Sequence, residues 1–305
     1  MAFIGVGTMA AEMVWRCVER GWRAHLVDPS PEATQPFQGQ AGVIVHDTVD
    51  ALVQNAEIIL LSLPTPTALL EVSKQLSASG PVERPITVIN TSTSGLSATR
   101  AAEAELATAG FAFIDAPVSG GKAGARQGAL TIMVSGTQEA VELCAPVFEA
   151  IGRHIVHVGT EPGQAQVMKV ANNVLSLGAL AATAEATALT SKAGIPLEVA
   201  IDALNASSGR NSATAVKIPN HVLTGAFDFG FPVAGALKDV SLFTDIADAL
   251  GLTAPLAKAV VACWQLAVDQ GYSTQDCTRI TTMYQRMAGL SAEGDVDDEC
   301  GGSHE

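Results

Sequence analysis

A chain of 305 residues with 48% hydrophobic and 16% charged residues is no disordered polymer; it is long for one hydrophobic core, so two domains are expected. The formal charge of −14 disfavours nucleic acid or an anionic membrane as partner, because both demand dense Lys and Arg, so an anionic ligand must be held by local groups. There is no unbroken apolar run of membrane-spanning length and no basic, apolar leader, so a cytoplasmic protein is the expectation.

From the N-terminus to about residue 158, short apolar runs alternate with helix-like stretches. The runs are Ala2 to Val6, Ala24 to Val27, Val43 to Val45, Ile58 to Leu63, Ile86 to Asn90, Ala112 to Ile114, Leu130 to Val134 and Ile155 to Val158. Val, Ile and Leu in continuous runs mark strands buried on both faces, as in a parallel sheet covered by helices. This predicts an α/β, Rossmann-type doubly wound domain over residues 1–160. After Gly159-Thr160-Glu161-Pro162-Gly163 one helical pattern runs from Gln164 to about Ala193, roughly 45 Å at 1.5 Å per residue. Its second half is rich in Ala and Gly, which lets other helices approach closely and predicts a homodimer or homotetramer. Further helices are expected near 197–206, 212–221, 233–250, 255–270 and 276–288, making residues 161–290 an all-helical substrate and dimerisation domain. The acidic, apolar-poor stretch 291–305 reads as a disordered tail, and its Cys300 and His304 as solvated residues. Cys17, Cys144, Cys263, Cys277 and Cys300 form no Cys-x-x-Cys pair and read as reduced thiols; no metal site is expected.

Chemistry begins in the first turn. Gly5-Val6-Gly7-Thr8-Met9-Ala10 follows the first strand and opens a helix, the context in which a glycine-rich turn binds a dinucleotide. Gly5 permits the tight turn, Gly7 lets the backbone approach the pyrophosphate at the helix N-terminus, and Ala10 takes the third glycine's place. Asp28 ends the second strand, where a carboxylate accepts from the adenosine ribose diol and repels a 2′-phosphate; NAD is favoured, with NADP the alternative. Asp28 can also serve as a helix N-cap before Pro29. Leu63, Pro64 and the segment Thr91-Ser92-Thr93 follow strands and should face the cofactor. Asp115-Ala116-Pro117-Val118-Ser119-Gly120-Gly121 offers exposed amides that can grip a carboxylate. Lys169 and Asn173 share a helix face among Val167, Val170, Ala171, Val174 and Leu175, surroundings that desolvate an ammonium and favour proton transfer.

Taken together, the cofactor turn, the segment 115–121 with Gly124, Ala125 and Gly128 behind it, Gly163 with Lys169, Asn172 and Asn173, and Leu237-Lys238-Asp239 resemble the β-hydroxyacid dehydrogenase family, which includes 3-hydroxyisobutyrate dehydrogenases. The resemblance covers residues 2 to about 288. It implies that Ser119, Gly120 and Gly121 anchor a substrate carboxylate, that Lys169 is the general acid/base, and that Asn173 supports substrate or lysine. It further implies that Thr93 lies near the nicotinamide, that Lys238 reaches the cofactor, and that Phe231 and Asp239 line the closed site. The activity implied is interconversion of a small β-hydroxyacid and its semialdehyde. Asn90 departs from the pattern, standing where relatives often carry an acid. Arg210, in the loop Ser207 to Ser212, is compatible with a second substrate anion, a solvated side chain or a subunit contact. Two rivals are an imine reductase, which usually replaces the lysine, and a non-catalytic dinucleotide-binding module, which typically loses the lysine or gains basic extensions; Lys169 argues against both.

Overall fold

The apolar runs of the first half become strands of one sheet: β1 (Ala2–Ile4), β2 (Ala24–Val27), β3 (Val43–Val45), β4 (Ile58–Leu61), β5 (Thr87–Asn90), β6 (Ala112–Asp115), β7 (Val118–Ser119), β8 (Leu130–Ser135) and β9 (Gly152–Gly159). This computed structural model describes residues 1–80 and 84–290, so the predicted acidic tail, with Cys300 and His304, lies outside the described residues. The strand order is β3-β2-β1-β4-β5-β6-β8-β7, with β9 also on β8, and β1 to β6 pair in parallel. The order reverses between β1 and β4, which opens a crevice at the carboxyl ends of these two strands. One lateral row, Val27, Ile4, Leu61, Asn90, Asp115 and Ser135, runs across that edge, and the predicted residues Gly5 to Met9, Asp28, Leu63, Pro64 and Thr93 follow this row beyond the ends of β1, β2, β4 and β5.

Helices α1 (Thr8–Glu19), α2 (Pro31–Thr34), α3 (Asp50–Asn55), α4 (Pro66–Ala78), α5 (Gly95–Thr108), α6 (Gly121–Arg126) and α7 (Gln138–Ile151) accompany the sheet. Alternate residues of one strand feed two cores. Phe3, Leu60 and Ile89 join Met13, Val14 and Cys17 of α1 in the first, while Ile4, Leu61 and Val88 join Leu69 and Leu76 of α4 and Leu106 of α5 in the second. Each such fully buried aliphatic side chain contributes roughly 1.5–3 kcal/mol over its exposed state.

The edges depart from expectation. β8 runs antiparallel to β6 and β7, because the chain returns through the short α6 instead of a full crossover. β7 is two residues long, below what periodicity can register. β9, whose apolar run predicts a buried strand, is instead an edge strand, with Ile155 and Val156 exposed, and Ile44 of β3 is exposed at the opposite edge. An edge strand has one neighbour, so its apolar run does not imply two covered faces.

The structure divides into two compact units, Met1–Asn173 with Leu242–Thr253, and Val174–Ser241 with the described residues from Ala254 onward. The division falls within α8 (Gln164–Lys192), the long helix predicted from Gln164. The second unit is helical among its described residues: the remainder of α8, α9 (Leu197–Asn205), a π-helical stretch Ala213–Val222, α10 (Val233–Ala249) up to Ser241, α11 (Pro255–Ala267) and α12 (Ile280–Met287). Its core joins Leu177, Leu180 and Ala184 of α8 to Val240, Trp264 and Ile280. The small residues of α8 act as expected here: a Cβ on Gly178 would stand 3.2 Å from Val260, so α8 and α11 pack at a distance only glycine allows without adjustment. By length and composition α8 would also pass for a membrane span, which the sequence reading did not anticipate; its buried leucines and alanines serve this core. Cys17, Cys144 and Cys277 are buried free thiols, and burial pushes Cys17 to about 12 and Cys144 to about 11, which keeps them protonated.

Candidate active site

The glycine turn is built by two glycines with different duties. Gly5 continues the ladder of β1 by donating to the Val27 carbonyl at 3.0 Å, and takes a φ of +83°. A Cβ there would lie 2.3 Å from the Ser62 carbonyl oxygen, so the residue is required by the fold itself. Gly7, the N-cap of α1, has an ordinary φ of −67° and nothing within 4 Å of the place a Cβ would occupy. It supplies no side-chain oxygen to the helix, and the first turn of α1 carries no acid, so amides with a positive dipole end meet an uncluttered backbone. That cradle fits a pyrophosphate, with Gly7 and Thr8 exposed and Met9 half-buried beside it. Ala10 is fully buried in the first core, the close helix-to-strand contact for which the third glycine is normally used.

Asp28 ties this turn to the end of β2. One carboxylate oxygen accepts from Val6 N–H at 2.6 Å and the other from Ser30 N–H at 2.8 Å. It is not a helix cap, because α2 begins at Pro31 and Ser30 holds the N-cap position. A carboxylate offers about four acceptor positions, so two remain for a ribose diol. Replacing Asp28 with alanine is expected to lower the preference for NAD over NADP, as the ratio of kcat/KM values, by about tenfold or more, equivalent to about 1.4 kcal/mol. An unchanged ratio would mean that the ribose is read elsewhere.

At the ends of β4 and β5, Leu63 donates its N–H to Ser92 Oγ at 2.8 Å, Pro64 is exposed, and Thr93 is half-buried. Asn90, the departure noted in the sequence, is fully buried and donates to Ser94 Oγ at 3.0 Å and toward Asp115 Oδ1 at 3.4 Å. An acid at position 90 would face the Asp115 carboxylate, which gives the amide a physical reason. Asp115 itself is completely buried, and burial lifts its carboxyl to about 7 against the opposing hydrogen bonds from Gln166, Asn90 and the Gly163 amide. Beyond it, Ser119 ends β7, and Gly120 and Gly121 take φ values of +136° and +64° before α6. A Cβ on Gly120 would meet Leu130 at 3.1 Å, so this pair also serves packing.

Lys169 and Asn173 sit on one face of α8, both buried, with Asn172 donating to Asn173 Oδ1 at 3.0 Å. Beside them Val170 packs with Leu96 of α5 and Ile246 of α10, all within the first unit. Leu175, expected among the apolar neighbours of the lysine, is instead strongly exposed. The first unit therefore holds the glycine turn, Asp28, Leu63, Pro64, Thr93, Ser119 to Gly121, Lys169 and Asn173. Phe231, Lys238 and Asp239 belong to the second unit. There the Phe231 ring lies over Gly235, where a Cβ would be 2.8 Å away, and Lys238 Nζ stands 3.2 Å from the buried Asp239 carboxylate. Arg210 is exposed in its loop.

Two residues escaped the sequence reading. Gln166, fully buried one turn before Lys169, joins α8 to the ends of β5 and β6. Its only signal was its distance of three residues from the lysine. Lys217, buried in the second unit, donates to Ser176 Oγ at 2.9 Å and Ser212 Oγ at 3.2 Å, and desolvation lowers its pKa. A lysine within a predicted helix reads as solvated unless its neighbours are known.

Residues 1–159 match the family described as the NAD binding domain of 6-phosphogluconate dehydrogenase. Residues 163–284 match the one described as NAD-binding of NADP-dependent 3-hydroxyisobutyrate dehydrogenase. The chain is 31% identical to an NAD-dependent L-serine dehydrogenase of Pseudomonas aeruginosa, covering 95% of this chain and 99% of that one. It is 30% identical to an L-threonate dehydrogenase of Escherichia coli, covering 93% and 94%. Among solved structures, a Mycobacterium tuberculosis 3-hydroxyisobutyrate dehydrogenase with L-serine superposes with a TM-score of 0.82 at 28% identity, covering 92% of this chain and 97% of that one.

Proposed function

The chain belongs to the β-hydroxyacid dehydrogenase family and is an NAD(P)-dependent hydroxyacid dehydrogenase, and from that premise we propose that it interconverts a small β-hydroxyacid and its semialdehyde with Lys169 as general acid/base. The observation that carries this reading is the burial of Lys169 and Asn173 on one face of α8, within the unit that holds the dinucleotide turn. A bound nicotinamide supplies the acceptor or donor of hydride. For alcohol oxidation, neutral Lys169 takes the hydroxyl proton; for reduction, its ammonium gives a proton to the carbonyl oxygen and offsets the negative charge developing there. Asn173 holds lysine or substrate by hydrogen bonding. Ser119, Gly120 and Gly121 receive the carboxylate, Gly5 to Met9, Asp28, Leu63, Pro64, Thr93 and Lys238 hold the cofactor, and Phe231 and Asp239 line the substrate end. Residues 1–160 serve as the dinucleotide-binding domain and 161–290 as the substrate and dimerisation domain.

The test is a screen of carboxylates bearing a nearby hydroxyl, including 3-hydroxyisobutyrate, 3-hydroxypropionate, tartronate, L-serine and L-threonate, with NAD and NADP, followed by the absorbance of the reduced nicotinamide. Turnover of at least one short hydroxyacid, faster with NAD, is expected. Oxidation confined to alcohols without a carboxylate would remove the role given to Ser119, Gly120 and Gly121.

A further inference from the structure

We propose that Gln166, braced by Asp115, is a positioning residue of this reaction: its carboxamide locks the first turns of α8, and with them Lys169, to the segment Ser92–Gly95 that follows β5. The inference rests on the acid/base reading of Lys169.

Every hydrogen-bonding position of that carboxamide is used. Gln166 Oε1 accepts from Ser94 N–H at 2.8 Å and Gly95 N–H at 3.1 Å, while Nε2 donates to the Ser92 carbonyl at 3.0 Å and to Asp115 Oδ1 at 2.6 Å. Two amides on one side and a carbonyl with a carboxylate on the other admit a single orientation of the group, and no other natural side chain of that length offers both a double acceptor and a double donor. Asp115 fixes the main chain as well, since its Oδ2 accepts from Gln166 N–H at 3.2 Å, and Ser135 Oγ accepts from Ala165 N–H at 3.2 Å. The last residues of β6 and β8 therefore take the amides that the start of α8 leaves open. Thr93 lies between the residues gripped, and Lys169 lies one turn further along α8, about 4.5 Å in axial rise. The clamp thus sets one spacing, between the segment carrying Thr93 and the turn carrying the amine. Displacement of a reacting group by about 1 Å costs on the order of a hundredfold in rate, so a partial loosening should show in turnover before it shows in binding.

A purely structural role predicts lost stability and nothing else, and a pH profile separates the two. In Gln166→Glu a second carboxyl replaces the amide nitrogen that donates to Asp115. The other groups facing Asp115, Asn90 and the Gly163 amide, are neutral, so the two carboxyls share one proton between them. While that proton stays, the glutamate still accepts from Ser94 and Gly95 and shares the proton with Asp115, so three of the four bonds persist and only the one to the Ser92 carbonyl is lost. As pH rises the proton leaves, the carboxylates repel, and the clamp opens.

The experiment compares kcat for hydroxyacid oxidation, the KM for NAD and thermal unfolding in the full-length wild type, Gln166→Met and Gln166→Glu. Expected are a kcat about tenfold lower or more for Gln166→Met with KM for NAD within about threefold, because the glycine turn is untouched. For Gln166→Glu the expectation is kcat within about threefold of wild type near pH 6 and a deficit of about tenfold or more near pH 9. Should Gln166→Met not fold, the Gln166→Glu profile decides alone. Wild-type kcat in Gln166→Met, or a Gln166→Glu deficit equal at both pH values, overturns the clamp and leaves the role of Lys169 standing. Retained activity in Lys169→Ala overturns both.

Discussion

Lys169→Ala should lower turnover by roughly a hundredfold to ten-thousandfold in both directions, the range lost when a general acid/base is removed. That corresponds to about 3–5 kcal/mol of activation free energy. The dissociation constant for NAD should stay within about threefold, because none of the proposed pyrophosphate and ribose contacts, at Gly5 to Met9 and Asp28, involves this side chain. Lys169 is buried, so alanine also leaves a void; Lys169→Met, which keeps the stem and drops the amine, should match alanine in rate while unfolding closer to wild type. Partial recovery of turnover by an added small primary amine would tie the loss to the missing base itself. Wild-type turnover in Lys169→Met would end the assignment while leaving family membership intact.

How much of this could be read from the chain follows from the range of each force involved. The strands β1, β2, β4 and β5 were legible because each is buried on both faces and is dominated by apolar residues, with only His25 in β2 and Thr87 and Asn90 at the ends of β5 interrupting the pattern. The same rule misjudged β9, whose Ile155 and Val156 are exposed at an edge, since a run records composition and not the number of neighbours. The antiparallel entry of β8 was invisible because direction depends on the connection, and α6 is too short to cross the sheet. The turn at Gly5 and Gly7 and the place of Asp28 at the end of β2 were legible because strand, turn and helix there are contiguous in sequence. Gln166 and Asp115 were not: fifty-one residues separate two partners whose side chains stand 2.6 Å apart, and a glutamine inside a helix has no periodic signature. Asn90 shows the reverse. Its oddity was visible at once, and only the neighbouring Asp115 explains why an amide stands there.

The two glycines of the cofactor turn should fail by different routes, and that contrast is the sharpest test of the site. In Gly5→Ala the new methyl would meet the Ser62 carbonyl oxygen at 2.3 Å and its carbon at 3.1 Å, both backbone atoms. Neither can retreat cheaply, because Ser62 N–H is bonded to the Ile4 carbonyl and Gly5 N–H to the Val27 carbonyl, ladders that hold β1 between its neighbours. The φ of +83° adds about 1–2 kcal/mol for any residue with a Cβ. With the clash included, a loss on the order of 3–5 kcal/mol is expected, a large share of the 5–15 kcal/mol typical of a folded domain. At roughly 2–4 °C per kcal/mol for a chain of this size class, Tm should drop by about 10 °C. Gly7→Ala meets nothing within 4 Å and has a φ of −67°, so its Tm should move by no more than about 1–2 °C. Its methyl enters the space assigned to the pyrophosphate, and the dissociation constant for NAD should rise by about tenfold or more. Calorimetry and fluorescence titration of the two variants therefore give opposite pairs of results. A stable Gly7→Ala that binds NAD as tightly as wild type would place the pyrophosphate elsewhere, and a Gly5→Ala with unchanged Tm would show that the β4 end yields more readily than its hydrogen bonds imply.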